Sequence, residues 1–352
     1  MALTELDRAS GLDLDAAVRS TLVRSAMVPS WILLGVVAAV FVAGVTVPIG
    51  VRYGVLLASA LVFGVPHGAL DHLVPGRLRH GAVDRRSVAA VVGLYALLGA
   101  GYGLVWFVAP VAAFGAFILL TWGHWGQGDL HALLALADAD HLPTRGHRAA
   151  TAAVRGGLPM LVPLVAFPDR YRAVATAVIG AFTSDPTGLA PLFAPTTRAA
   201  VGLGLAAVAV ATLGLGFFRG NARRGWAIDA GETGVLAAYF AVVPPVLAIG
   251  LYFTVWHSLR HVARLAVADP ESAAALRAGR IGRPIARFAR DAAPATVGAL
   301  ALFAPLWWLV PRTPDGVAAY AGLYLVLISV LTLPHVALVT WMDREQGVWR
   351  PA

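Results

Sequence analysis

Four stretches of an otherwise apolar chain carry the side chains that could do chemistry. They are V-P-H-G-A-L-D-H-L at 65–73, W-G-H-W-G-Q-G-D at 122–129, W-H-S-L-R-H at 256–261 and L-P-H-V at 333–336. Ionisable groups are costly inside a membrane segment, so where they occur they mark a functional site by default. His257 and His261 are four apart, which on a helix puts both imidazoles on one face, one turn apart, where they can chelate one metal. His67 has Asp71 four residues on, facing the same side, and His72 five on, turned ~100° further round. His67 therefore reads as a ligand. Asp71 reads as the carboxylate that fixes its tautomer and orientation, and His72 as a lesser ligand candidate. His124 sits between Trp122 and Trp125, with Gly123, Gly126 and Gly128 allowing close helix approach and Gln127 and Asp129 adding polarity. Its case as a ligand rests on that company. His335, after Pro334, has no partner nearby in the sequence and reads as a residue that supports a ligand or lines a substrate pocket. Glu232 is placed to bond a ligand imidazole, or to serve as a carboxylate at a helix N-terminus.

The absence of cysteine removes disulfides, thiolate metal sites and cysteine catalysis together. Any metal must be held by His and carboxylate, and by ligand type alone such a site suits iron, zinc, copper or nickel. Ferrous iron with open positions would permit dioxygen chemistry, and a site at membrane depth implies a lipid-soluble substrate. Trp122, Trp125, Tyr252, Phe253 and Trp256 lie beside the candidate ligands and could line a pocket for a long conjugated molecule; ordinary helix packing explains each of them equally well. His80, His131, His141 and His147 fall in or near polar stretches and read as solvated, and Arg260 reads as a membrane-edge residue.

The elements that must position these residues are membrane helices. Of 352 residues, 59% are hydrophobic and 13% charged, with mean hydropathy +0.74; soluble domains are about 25% charged. The fold class is therefore all-α, a polytopic bundle of about eight to ten membrane segments, each needing ~20 apolar residues. Spans are expected at 31–48, 51–73, 88–108, 111–131, 198–218, 293–310 and 317–341. A region at 149–183 should be broken by Pro159, Pro163 and Pro168, and one at 232–268 should cross twice or re-enter at Pro244-Pro245. The polar segments 132–148 and 184–197 read as surface loops. The formal charge of +8 comes from Arg, with no Lys in the chain. The Arg lie between the apolar runs, which speaks for membrane orientation rather than a nucleic-acid surface. Placing 77–86, 145–148, 219–224 and 277–290 on one side puts both termini in the cytoplasm, within a multi-pass cell-membrane protein. At ~1.5 Å per residue, His67, His124, His257 and His335 then share one depth, between mid-membrane and the inner face. Residues 1–30, with no evident signal peptide, form an N-terminal cytoplasmic segment, 31–341 a single transmembrane catalytic bundle, and 342–352 a C-terminal tail.

The set P-H-G-A-L-D-H at 66–72, H-W-G-Q-G-D at 124–129, W-H-S-L-R-H at 256–261 and P-H at 334–335 resembles the Brp/Blh family. These are membrane-bound β-carotene 15,15′-dioxygenases of archaea and bacteria that supply retinal to rhodopsins. The resemblance runs from about residue 50 to 341. It implies that His67, His124, His257 and His261 bind Fe(2+), and that the substrates are β-carotene and O2, drawn from and into membrane lipid. The implied reaction is cleavage of the central double bond to two retinals, with a functional link to a retinal-binding rhodopsin. Trp125 stands where the family has phenylalanine, a change that bears on pocket width. Two other readings compete. One is a non-enzymatic transporter or rhodopsin-assembly partner using intramembrane His, which the break at Pro244-Pro245 permits. The other is a di-iron carotenoid hydroxylase or desaturase, which would need H-x-x-H-H runs that the chain lacks. Because ligand imidazoles must be neutral, activity is expected to fall at acid pH.

Overall fold

The computed structural model describes residues 12–80, 83–219 and 223–351; residues 1–11 of the N-terminal segment and the side chain of His80 lie outside the described ones. Every regular element among the described residues is helical. In chain order these are α1 (Ala16–Val42), α2 (Ile49–Arg79), α3 (Arg85–Val108), α4 (Pro110–Leu136), α5 (Arg145–Ala166), α6 (Pro168–Ile179), α7 (Pro195–Arg219), α8 (Arg223–Val242), α9 (245–267), α10 (Pro270–Arg277), α11 (Gly282–Leu309) and α12 (Gly316–Glu345). Seven of them, α1, α2, α3, α5, α7, α11 and α12, are long and apolar enough to cross a membrane. The protein is a multi-pass membrane protein. The helices α4 and α9 also run between the two ends of the bundle, but are diluted by the polar residues that make the site.

In a bilayer the outward face of a helix needs only to be apolar, so burial separates central from peripheral helices. The apolar windows of α5 and α12 are 61% and 56% buried, against 11% for α7 and α11. The crossing of α4 and α5 is close because Gly126 and Gly156 leave no side chain between them. A Cβ on Gly126 would strike the Ala152 carbonyl, and one on Gly156 the Trp122 carbonyl. This pairing fixes the rotation of α4 about its axis, and with it the direction of His124 and Asp129.

The helices break where the backbone demands it, though not always where proline suggests. The region 149–183 is broken as expected at Pro168, but Pro159 and Pro163 sit inside an unbroken α5. Packing against α4, α7 and α8 keeps α5 unbroken, as is tolerated in membrane helices. The break falls at Phe167, whose φ of −133° and ψ of 57° leave the helical region ahead of Pro168. At Pro244-Pro245 the expected break is present, separating α8 from α9. The helix α4 runs on to Leu136, so the segment after 131 is not loop at its start. In 184–197 a 3-10 turn (Thr187–Phe193) buries Leu189 and Phe193.

Arginines gather at one end of the bundle. There Arg19 pairs with Asp138, Arg79 with Glu345 at 3.3 Å and Arg77 with Asp291 at 2.6 Å, while Arg145 donates to the Trp349 carbonyl at 2.8 Å. The start of α1, the α4–α5 connection, the ends of α2 and α12 and the start of α11 thus share this end, as the charge distribution implied.

Candidate metal centre

Two irregular helical turns face each other across the centre. The helix α2 widens into a π turn at Ala60–Gly64, continues as the short stretch Val65–Gly68 and tightens into a 3-10 turn at Asp71–Leu73. The helix α9 widens into a π turn at Phe253–Ser258. Such turns inside helices are rare and concentrate at functional sites. Here the two irregular turns of α2 bracket His67 and the π turn of α9 carries His257, with His261 one turn later on α9. The helices α4 and α12 supply His124 and His335.

All five imidazoles are buried, none more than 6% exposed, and they converge. The Nε2 atoms of His124 and His257 are 2.9 Å apart. Ring centroids lie 4.6 Å apart for His124 and His257, 4.7 Å for His124 and His335, 5.0 Å for His67 and His335 and 5.1 Å for His261 and His335. The pairs of His67 with His257 and with His261 follow at 5.4 and 5.5 Å, and the widest, His124 with His261, at 6.5 Å. An imidazole bound through nitrogen at ~2.1 Å places its centroid about 3.25 Å from the metal, so two rings on one ion are about 4.6 Å apart at a right angle and about 6.5 Å apart when opposed. Every one of these separations falls in that interval. Donor atoms of His67, His124 and His335 lie within 4.8 Å of one another, as do those of Asp71, His261 and His335.

The hydrogen bonds around the rings leave ligating nitrogens free. His67 donates from Nδ1 to the Gly64 carbonyl, with the Phe63 carbonyl at 3.2 Å, so its Nε2 carries the lone pair. His261 Nε2 and His335 Nε2 are buried without any hydrogen-bond partner. Buried nitrogens without partners among closely grouped imidazoles are what a cation would satisfy, and a donor set of neutral imidazoles suits a divalent first-row transition metal. The residues fit a metal.

The supporting carboxylate is arranged differently from expectation. Asp71 Oδ2 faces His335 Nδ1 at 2.7 Å and accepts the Tyr95 hydroxyl at 2.5 Å, so it orients His335 while His67 takes a backbone carbonyl of its own helix. His72 donates from Nδ1 to the Ala69 carbonyl at 2.9 Å and lines the adjoining cavity, apart from the converging set. Tyr95 carried no signal in the sequence, being a lone tyrosine in an apolar span.

Asp129 and Glu232 belong to a buried ionic cluster behind α9. Trp256 Nε1 donates to both oxygens of Asp129 at 2.9 and 3.1 Å. Arg260 donates to Asp129 at 3.3 Å and to Glu232 at 2.5 Å, with its guanidinium 3.6 Å from the centroid of the Trp256 ring. Arg155 also donates to Glu232, as does Trp31 Nε1 at 2.5 Å. Glu232 therefore bonds no ligand imidazole, and Arg260 is a core residue rather than a membrane-edge one. The cluster extends through Arg155 to Asp229, 3.5 Å away, and His141, whose Nε2 is 3.1 Å from Asp229. His131, His141 and His147 are all buried, where solvated positions were expected: α4 runs on past His131, and His141 and His147 meet Asp229 and the Thr212 carbonyl.

A cavity of about 670 Å³ opens from the centre, within the usual range of ~300–1,000 Å³ for ligand pockets. His67, His124, His335 and Asp71 stand at its polar end, and Trp125, Phe253, Phe117, Met160, Ile328 and Leu325 are among its apolar walls. Trp125 packs on Phe253 with centroids 6.0 Å apart and on Tyr252 at 4.8 Å. Tyr252 and Trp256 lie behind the wall, fully buried. On α11, Pro294, Gly298 and Leu302, spaced i, i+4, i+8, line the cavity and are themselves exposed. The cavity therefore opens sideways, toward the surface that lipid would cover.

Fold and site together define a membrane-embedded helical protein with a buried polyhistidine centre at the end of an apolar cavity. The profile of the family described as beta-carotene 15,15′-dioxygenase matches residues 58–343. The chain is 51% identical to "Probable beta-carotene 15,15′-dioxygenase Blh" of Halobacterium salinarum, over 95% of this chain and 97% of that protein. It is 36% identical to "Probable beta-carotene 15,15′-dioxygenase Brp" of the same organism, over 93% and 98% of the two chains. It is 28% identical, over 26% of its length and 33% of the relative's, to "Beta-carotene 15,15′-dioxygenase" of an uncultured marine bacterium. This protein belongs to the beta-carotene 15,15′-dioxygenase family. No solved structure matches it.

Proposed function

We propose that this protein is an iron-dependent dioxygenase that cleaves β-carotene at its central 15,15′ double bond. One O2 is consumed per carotene; the carbon–carbon double bond breaks and each half leaves as the aldehyde retinal, so that both oxygen atoms are accounted for. The observation that carries this reading is the convergence of buried imidazoles at the polar end of a laterally open apolar cavity. The names of the relatives supply the substrate.

His67, His124, His257 and His261 would hold the ion, which when bound supplies the activation of O2. The chain itself does the rest. The apolar walls take an extended hydrocarbon out of lipid and exclude water from the polar end. Trp125, stacked on Phe253, fixes the width of the channel beside His124 and so the register in which the polyene is presented. The opening along α11 lets substrate and product move within the bilayer without crossing water.

We place the protein in the cell membrane with both termini cytoplasmic, because the Arg-rich end holds the start of α1 and the end of α12. Release of retinal into the same bilayer suits delivery to a retinal-binding rhodopsin.

The test is expression in cells that accumulate β-carotene. The expected result is loss of colour with appearance of two retinals per carotene, abolished by His67→Ala, His124→Ala and His257→Ala. A folded, iron-loaded protein that leaves the carotene intact would overturn the substrate assignment. Three variants that all remained active would overturn the site.

A further inference from the structure

We propose that His335 is itself a ligand of the metal, held in place by Asp71 and Tyr95; the proposal rests on the reading of the polyhistidine cluster as a metal centre. Four observations point to it. His335 is the residue common to both groups of donor atoms that could hold an ion, standing with His67 and His124 in one and with Asp71 and His261 in the other. Its ring is within 4.7–5.1 Å of those of His124, His67 and His261, centroid to centroid. Its Nδ1 is engaged by Asp71 at 2.7 Å, which turns Nε2 inward. That Nε2 is buried and has no hydrogen-bond partner.

The alternative is a plain buried His–Asp pair. In that arrangement a protonated ring would leave its Nε2–H unsatisfied among other imidazoles, an expensive way to bury a polar group. A neutral ring with the proton on Nδ1 has no such penalty, provided its Nε2 lone pair meets a cation. Asp71 and Tyr95 then play the part that carboxylates commonly play behind metal-bound histidines: they select the tautomer, fix the ring plane and raise the basicity of the ligating nitrogen. The Tyr95 hydroxyl donates to the same Oδ2 that faces His335, so it limits rotation of the carboxylate. Tyr95 and Asp71 are positioning residues acting through His335. Gly68 leaves the room: a Cβ there would lie 3.4 Å from His335 Nδ1, and anything larger would push the ring off Asp71.

The test reads metal binding, not turnover. The full-length protein is stripped of metal in detergent and titrated with Co(II), following its visible absorption. Wild type should take up one ion per chain. His335→Ala should lower affinity at least tenfold and alter the Co(II) spectrum, and free imidazole added to this variant should restore both. Tyr95→Phe keeps the packing and removes one hydroxyl. It should weaken affinity by a smaller factor, at or below the lower end of the ~10–100-fold range typical of groups behind a ligand. His335→Ala and His335→Gln variants that bind Co(II) with wild-type affinity and an unchanged spectrum would overturn the assignment. A wild type that binds no metal would overturn the metal centre itself, and is distinguished because the loss then precedes any substitution.

Discussion

Arg260 ties α9, which carries His257 and His261, to the buried ionic cluster, and its removal tests how the site is held. It precedes His261 and follows His257 by three residues on α9. Its guanidinium reaches Glu232 at 2.5 Å and Asp129 at 3.3 Å and covers the Trp256 ring. Around it, the carboxylates of Asp129, Asp229 and Glu232 share the guanidiniums of Arg155 and Arg260. Arg260→Met keeps the volume of the stem and leaves those carboxylates around Arg155 alone, at a depth where water cannot compensate. Removing one partner of a buried pair typically costs ~3–5 kcal/mol, or a factor of about 10²–10⁴ in the folded-to-unfolded ratio. The assay is equilibrium unfolding in mixed SDS–maltoside micelles, followed by tryptophan fluorescence and by helical circular dichroism. The double variant Arg260→Met with Glu232→Gln removes one charge of each sign and should be less destabilised than Arg260→Met alone. If Arg260→Met unfolds within about 0.5 kcal/mol of wild type, the size of effect expected of an ordinary surface substitution, the cluster does not hold α9 and the reasoning fails.

Further outcomes follow from the same geometry. Gly156→Leu places a side chain against the Trp122 carbonyl, which should force α4 from α5 and carry His124 away from the other rings; loss of Co(II) binding with retained helical content would show it. Gly298 has open space where a Cβ would stand and borders the lateral opening, so Gly298→Phe should raise KM for carotene several-fold with metal content unchanged, and an unaltered KM would argue for another route. At the Arg-rich end, burial by itself would raise the Asp269 carboxyl. Hydrogen bonds from Arg287 and Ser272 and the charge of Arg77 outweigh that and hold it at about 2, below its ordinary 3.8. The stabilisation is present above pH 3.8 and is lost as pH falls through 2. Protease sensitivity of the 268–280 segment should rise over that window in wild type, while Asp269→Asn should show no such step there.

Much of this protein could be read from its residues in order. Long apolar runs dictated membrane helices, because unpaired backbone groups cannot survive in hydrocarbon, and the Arg-rich connections indicated which helix ends lie together. His67, His124, His257 and His261 stood out because a costly side chain in an apolar helix needs a reason. The common depth of His67, His124, His257 and His335 was expected from counting residues along straight helices, a calculation that needs no tertiary information. What sequence spacing could not supply was rotation about each helix axis and which neighbour each polar group meets. Asp71 lies four residues from His67, yet the π and 3-10 turns of α2 swing it to His335, 264 residues away in the chain. Arg260 read as an edge residue, Glu232 as a partner of a ligand imidazole or a helix N-terminal carboxylate and Asp129 only as added polarity, and only the packing of α5, α8, α4 and α9 joins them with Arg155 in one buried cluster. Proline marked the break at 244–245 but not at 159 or 163, because there tertiary packing outweighs a missing hydrogen bond. Sequence alone determined the fold class, the depth of the histidines and the chemistry they could support. The tertiary structure decided which nitrogens meet, which carboxylate stands behind which ring and where the cavity opens, since those depend on helix rotation and contact.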